Sequence, residues 1–210
     1  FVKNADGKAV SVNILGDMGI NSSLVYANDR AEALLDADYT ITKGDKNTST
    51  IALLATNNSK VTIANGKTLT TNTQVALAAV DGIVHPVGST TVSGSTAENK
   101  GTIVSNRTNN GIGIYAKDGG SNAINDGTIT MNGEKAVGMY GENVTTLENK
   151  TGKSIEVKKE QSAGMYARVT GDNTLTAQNN GKIITNKQKS VGIYLNNETN
   201  PPAIANLEAS

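Results

Sequence analysis

Four tyrosines recur in the second half of the sequence at intervals of 25, 26 and 28 residues, and each follows a glycine by two positions. The tyrosines are Tyr115, Tyr140, Tyr166 and Tyr194. The glycines are Gly113, Gly138, Gly164 and Gly192. Rings that repeat in register can stack, and the glycines predict a shallow strip without side chains beside them. Such a surface suits a sugar ring or an extended peptide. In the alternative interpretation, the rings only pack on each other and stiffen the fold.

Basic residues recur in the segments that precede the tyrosines. They are Arg107, Lys135, Lys158, Lys159, Lys187 and Lys189. If the segments stack, these residues are expected to form a basic ridge. Residues 1–40 contain three Lys/Arg and six Asp/Glu, whereas residues 149–190 contain eight Lys/Arg and three Asp/Glu, so charge changes sign along the chain. The four tyrosines together with Lys135, Lys158 and Lys187 therefore form the candidate ligand surface, although lysines at corners also serve simply to discourage edge pairing.

Catalytic and metal-binding chemistry finds little support in the residue types. The chain has no Cys, which excludes disulfides, thiolate zinc sites and a Cys nucleophile, and its one His, His85, has no evident partner. The densest acidic stretch, between Asp29 and Asp38, is interleaved with hydrophobic residues and indicates a solvated face. We therefore predict no cofactor, no metal and no enzymatic activity. A cluster of three carboxylates on one sheet face would instead favour a carbohydrate-active enzyme.

Composition excludes further classes of function. Lys+Arg and Asp+Glu both number 19, so nothing in the net charge indicates a nucleic-acid partner. No apolar run approaches the roughly 18 residues that a membrane-spanning helix needs. The sequence begins at Phe1 without a signal peptide, so we expect a fragment or processed chain whose targeting signal or anchor lies elsewhere.

A second motif repeats in step with the tyrosines and indicates the elements that position them. It reads ENKGTIV, INDGTIT, ENKTGKSIEV and NNGKIIT, and its isoleucines are spaced by 26, 26 and 28 residues. Those isoleucines are Ile103, Ile129, Ile155 and Ile183. Two motifs that repeat together with this period are typical of a solenoid.

Each repeat predicts three short strands. The stretch GIGIYA alternates aliphatic residues with Gly113 and Tyr115, which is a strand pattern. Short segments before each motif asparagine add a third strand, and three strands per repeat of about 25 residues predict a right-handed parallel β-helix. The corner asparagines, Asn99, Asn125, Asn149 and Asn179, are expected to stack as an amide ladder. The stretch 29–37 is the one helical candidate.

Weaker repeats extend the pattern to the N-terminus. Alignment of Leu24, Leu53 and Leu77 with the later motifs predicts about seven coils in one β-helix over 1–210, degenerate in 1–98 and regular in 99–195. The interval from Leu77 to Ile114 is 37 residues, longer than the others. Residues 81–95 are rich in Gly, Ser and Pro and are predicted to leave the coil as a loop.

The paired motifs, N-x-G-x-I followed by G-I/M-Y, resemble the passenger repeats of type V autotransporter adhesins, and most closely the fusobacterial outer-membrane family that includes RadD. The matching stretches, NKGTI to GIGIYA and their three later copies, cover residues 99–195. The resemblance implies a monomeric β-helix on the bacterial cell surface, anchored only through an outer-membrane barrel domain outside this chain. It further implies adhesion or coaggregation through a glycan or protein receptor. The alternatives are a carbohydrate-active β-helix enzyme and a trimeric phage or surface fibre.

Overall fold

Every regular element in the part of the chain described by the computed structural model is a β-strand. That part comprises residues 24–41, 50–81, 94–171 and 173–198, together with the backbone of three short strands at Val2–Lys3, Ser11–Ile14 and Leu207–Glu208. The strands, numbered in chain order, form three parallel sheets that wind as a right-handed solenoid. The predicted all-β parallel β-helix is therefore confirmed.

Sheet A contains the tyrosine motif. Its strands, in spatial order, are β1 (Val2–Lys3), β3 (Val25–Asn28), β6 (Ile51–Thr56), β9 (Val75–Val80), β12 (Ile112–Lys117), β15 (Val137–Glu142), β18 (Ala163–Val169) and β21 (Val191–Asn197). Valine, isoleucine and tyrosine favour this extended backbone because their side chains pack well on a pleated surface.

Sheets B and C complete each coil. Sheet B contains β2 (Ser11–Ile14), β4 (Glu32–Leu35), β7 (Lys60–Ile63), β10 (Thr96–Asn99), β13 (Asn122–Asn125), β16 (Thr146–Asn149), β19 (Thr176–Asn179) and β22 (Leu207–Glu208). Sheet C contains β5 (Tyr39–Ile41), β8 (Thr68–Thr71), β11 (Thr102–Ser105), β14 (Thr128–Met131), β17 (Ser154–Val157) and β20 (Lys182–Thr185). The six strands of sheet C define six complete coils, numbered 1 to 6 from β3–β5 to β18–β20, slightly fewer than the seven predicted.

The predicted stacking of the two motifs is confirmed. The four motif isoleucines pair in register on sheet C. Their partners on sheet A, Ile114, Met139, Met165 and Ile193, also pair in register. All of these side chains are fully buried except Ile183 and Ile193, which pack on the core from the last strands of their sheets and are half-buried. The core is thus a continuous column of aliphatic side chains inside the solenoid.

The predicted asparagine ladder runs along the corner between sheets B and C. The side-chain amide of Asn99 donates to Asn125 Oδ1 at 2.9 Å, Asn125 donates to Asn149 Oδ1 at 2.8 Å, and Asn149 donates to Asn179 Oδ1 at 2.7 Å. The ladder starts at Asn99 because Ile63 occupies the same position in the coil below. Each of these bonds pairs an amide donor with an acceptor on the next coil at a largely buried corner, so the ladder has a structural role.

Two sequence predictions near the N-terminus are wrong. The helical candidate 29–37 contains a strand, β4, which pairs in parallel with Lys60–Ile63. Its alanine and leucines favour a helix, but the free energy of burying Ala33 and Leu35 in the solenoid core outweighs that preference. In coil 1, Val25 and not Leu24 pairs with Leu53, a register shift of one residue.

The predicted loop 81–95 falls between β9, which ends at Val80, and β10, which begins at Thr96. Residues 82–93 lie outside the described residues, so the loop itself stays a prediction. Its two described ends meet at one buried carboxylate. Asp81 Oδ2 accepts hydrogen bonds from the backbone N–H of Gly94 and of Ser95, both at 2.8 Å. The chain therefore leaves and re-enters the coil at the same point.

Candidate ligand surface

The four tyrosines form the predicted ladder on the outer face of sheet A. Tyr140 and Tyr166 stack with ring centroids 4.8 Å apart and planes inclined by only 6°. Tyr166 and Tyr194 are 5.0 Å apart at 21°, and Tyr115 and Tyr140 are 5.2 Å apart with a tilt of 34°. Parallel pairing places one ring on each coil, so the inter-strand distance of about 4.8 Å sets the ring spacing.

Stacking changes what this ladder can offer to a ligand. Both faces of Tyr140 and of Tyr166 are covered by the neighbouring rings, and Tyr194, which is 47% exposed, is the last ring of the stack. A sugar ring that packs on an aromatic residue needs a free ring face. The middle of the ladder therefore presents ring edges and hydroxyl groups. The interpretation in which the rings stiffen the sheet accounts for their geometry.

The glycine strip lies inside the solenoid, so the prediction of an outer groove beside the tyrosines is wrong. A Cβ built on Gly138 would lie 2.3 Å from Ile155 Cγ2, and one on Gly164 would lie 2.3 Å from Ile183 Cγ2. In three of the four motifs the glycine (Gly113, Gly138 or Gly164) and the residue that follows it are both buried, which breaks the simple alternation of the motif. These three glycines are needed because the isoleucines of sheet C approach the backbone of sheet A closely.

A chain of alternating charges runs beside the tyrosines, which sequence analysis did not identify. Lys117 Nζ lies 3.1 Å from Glu142 Oε1, and Arg168 donates to Glu142 Oε2 at 3.0 Å. Arg168 also donates to Glu198 Oε2 at 2.5 Å. Each of the first three residues follows its tyrosine by two positions, and pairing in register brings them together. The recurrence of a charged residue two positions after each of these tyrosines is the sequence pattern that could have revealed the charged chain.

Polar side chains on the same sheet face also hold two of the phenol groups. Tyr140 OH donates to Glu142 Oε2 at 3.2 Å, and the side-chain amide of Asn196 donates to Tyr166 OH at 3.2 Å. These hydroxyl groups are therefore engaged within the protein. A ligand that used them would have to share or replace these bonds.

This environment shifts the pKa of both tyrosine and glutamate. Partial burial, reinforced by the negative charge of Glu142, raises the pKa of Tyr140 to about 12 and also raises the pKa of Tyr115. Burial alone raises the pKa of Glu142, but hydrogen bonds from Lys117 and Arg168 outweigh it and hold that pKa below its ordinary value. At neutral pH Tyr115 and Tyr140 are therefore neutral and Glu142 is charged.

The predicted basic ridge lies at the corner between sheets C and A, but its lysines do not form one column. Lys135 shares its corner position with Gln161 and Lys189, all three with positive φ. Lys158 follows strand β17 directly, as Asn132 and Asn186 follow β14 and β20. Lys187 has the same corner position as Lys159 in the preceding coil. The ridge is also mixed in charge, since Glu134 and Glu160 lie on the same corner.

Two further polar clusters had no clear signal in the sequence. Glu98, on sheet B, is 5% exposed and has the ammonium groups of Lys60, Lys100 and Lys150 at 2.7, 3.7 and 3.9 Å. Asp81, at the corner between sheets A and B, is 2% exposed and accepts five hydrogen bonds from three coils. Both clusters connect neighbouring coils, and neither repeats along the sequence.

The acidic residues do not converge on one site. Asp29 and Asp38 lie at opposite ends of β4, and within the described ranges no group of three or more His, Asp or Glu side chains is arranged to hold a metal ion. His85 lies outside the described residues. Among the residues that are described, no helix is long and apolar enough to cross a membrane.

Comparison with known families gives one match. The model of the BigA third pectate lyase-like domain matches residues 10–201, which is most of the chain. The comparisons with curated proteins and with solved structures found no match. The family match fits a passenger-type β-helix of a bacterial surface protein, whereas the closer resemblance to the fusobacterial family stays a prediction.

Proposed function

Because this chain belongs to the BigA third pectate lyase-like domain family, we propose that it is a segment of a bacterial cell-surface adhesin that supports attachment to another cell. The segment acts as a stiff β-solenoid that carries contact surfaces on its outer faces. Its partner is a glycan or protein receptor on a host or bacterial surface. The full-length protein is held at the outer membrane by a domain outside this segment.

One observation carries this proposal: the polar and aromatic side chains of the regular coils are arranged in ladders that run along the solenoid axis. The asparagine ladder, the tyrosine ladder and the charged chain each connect at least three successive coils. Such ladders resist bending and separation of coils. This use of side chains suits a rod that bears load between two cells.

We infer that the segment is not an enzyme. The word lyase in the family description supports an alternative in which the solenoid cleaves an acidic polysaccharide. Lyase chemistry needs a base placed at the sugar ring, beside groups that stabilise the developing charge. Three of the described carboxylates form ion pairs with lysine or arginine side chains of the protein, namely Glu98, Glu142 and Asp126. Incubation of the chain with pectate is expected to release no new reducing ends, and their release would contradict this inference.

A deletion that preserves the coil register tests the adhesive role. Removal of residues 112–190 takes out three whole repeats and joins Gly111 to Val191, two positions that are adjacent in every repeat. We expect cells that display the shortened full-length protein to lose most of their binding to partner cells. Staining of a tag at the distal end controls for surface display. Unchanged binding with equal display would refute a direct role for these coils.

A further inference from the structure

We propose that the corner between sheets C and A in coils 5 and 6 binds a linear anionic polysaccharide. The proposal names a receptor class for part of the candidate ligand surface and rests on the adhesive role for its biological setting. It centres on Lys159 and Lys187, which occupy the same position in successive coils. The residues just before them, Lys158 and Asn186, show this register, since each donates its backbone N–H to the last strand residue of sheet C in the coil below.

Two like charges are stacked at this corner. Successive coils are about 4.8 Å apart, so the side chains of Lys159 and Lys187 leave the backbone as direct neighbours. Both side chains are exposed, and among the described residues no carboxylate oxygen lies within 4.0 Å of either ammonium group. Like charges in this arrangement destabilise a sheet. An anion bound along the column would offset that repulsion.

The residues around the pair leave the corner positive. Lys158 and Lys189 flank it, and the acidic residues beside it are Glu160, on the same corner, and Glu156, near the end of strand β17. Glu156 is already engaged, since it accepts a hydrogen bond from Asn186 at 2.8 Å and lies 3.8 Å from the Lys158 ammonium group. Four lysines against two glutamates leave an excess of two positive charges. At the corner between sheets B and C, in contrast, Lys100 and Lys150 lie near the buried carboxylate of Glu98.

The shape of the corner selects a polymer as the ligand. Small molecules bind in concave sites that cover most of their surface, whereas this corner is convex and its lysines are exposed. A chain with charges at regular intervals can engage lysines on successive coils at once, so weak contacts add up. Single-stranded nucleic acid would also need free aromatic faces for its bases, and the neighbouring tyrosine rings cover one another. A linear polysaccharide with sulfate or carboxylate groups fits these features.

Binding of the 210-residue chain to immobilised heparin and hyaluronate at low salt tests the proposal. Heparin carries sulfate groups in addition to carboxylates, whereas hyaluronate carries carboxylates alone, so comparison of the two polymers shows whether sulfate is preferred. For the preferred polymer we expect the K159Q/K187Q variant to bind about tenfold more weakly, which corresponds to about 1.4 kcal/mol. The matched control is K67Q/K182Q, which removes the same charge at the corner between sheets B and C, where no described carboxylate oxygen lies within 4.0 Å of either ammonium group. We expect it to change binding by less than twofold.

A third variant tests the sign of the effect. Glu160→Gln removes a negative charge from the corner, and we expect tighter binding with less dissociation on addition of salt. Failure of the parent chain to bind either polymer, or equal losses in the two lysine variants, would overturn the proposal. Equal dependence of duplex DNA binding on Lys159 and Lys187 would also overturn the assignment to polysaccharide. Adhesion lost in the coil deletion but kept in K159Q/K187Q cells would reject this site alone, and the adhesive role would stand.

Discussion

Gly138→Ala is the substitution for which the structure gives the clearest expected cost. The new methyl group would lie 2.3 Å from Ile155 Cγ2 and 2.6 Å from the carbonyl oxygen of Gly164. Ile155 is fully buried, and the carbonyl belongs to the backbone of the next coil, so neither atom can move without separating packed strands. Overpacking of this kind costs about 1–3 kcal/mol, and two close contacts place the variant near the upper end.

Gly192→Ala is the matched control, because Gly192 has the same position in the repeat but no neighbouring atom lies within 4 Å of its built Cβ. We expect this variant to change the free energy of unfolding by less than about 0.5 kcal/mol. Urea unfolding followed by far-ultraviolet circular dichroism measures both variants. Ile155→Ala should partly rescue Gly138→Ala, with a coupling energy of about 1 kcal/mol or more. Equal effects of the two glycine substitutions, or the absence of coupling, would refute the inward orientation of the motif glycines.

Three further predictions concern the polar clusters. Asp81→Ala leaves three backbone N–H groups without their acceptor and should cost about 3–5 kcal/mol in urea unfolding; a loss below 1 kcal/mol would show that the carboxylate does not hold the coils together. Asn125→Asp removes the amide that donates to Asn149 and should lower stability at pH 7 by about 2–4 kcal/mol, whereas an unchanged melting temperature would exclude a structural ladder. The pKa of Tyr140 is raised to about 12, so the folded state holds the phenol proton more strongly than the unfolded state does. The free energy of unfolding should therefore be constant below a pH of about 10 and should fall as the pH rises toward 12. Ultraviolet titration should show the delayed ionisation, and Glu142→Gln should bring the Tyr140 pKa closer to its ordinary value; no change in that variant would contradict the contribution assigned to Glu142.

The sequence predicted those parts of the fold that repeat. Ile103, Ile129, Ile155 and Ile183 recur at coil spacing, and a repeated aliphatic residue is favourable in a solenoid only if its copies stack. The same argument placed the tyrosines and asparagines in their ladders. It failed for the stretch 29–37, whose local residue preferences favour a helix and whose strand form depends on contacts with the following coil.

The candidate site was predictable only in part, for three physical reasons. Alternation along the motif put Gly113 and Ile114 on opposite faces, but both are buried, and only the close approach of sheet C explains this. The basic residues were identified by segment, but Lys158, Lys187 and Lys135 occupy the first, second and fourth positions of their corner segments and therefore lie in different columns. Asp81 occurs once, so no repeated pattern could reveal that it connects three coils.

The most direct test of the central claim is binding of the purified 210-residue chain to the cells that the full-length adhesin recognises. We expect saturable binding, and we expect the purified chain to compete with adhesion of bacteria that display the full-length protein. A chain that is folded by circular dichroism, yet neither binds these cells nor reduces adhesion, would contradict the claim that this segment itself makes the adhesive contact.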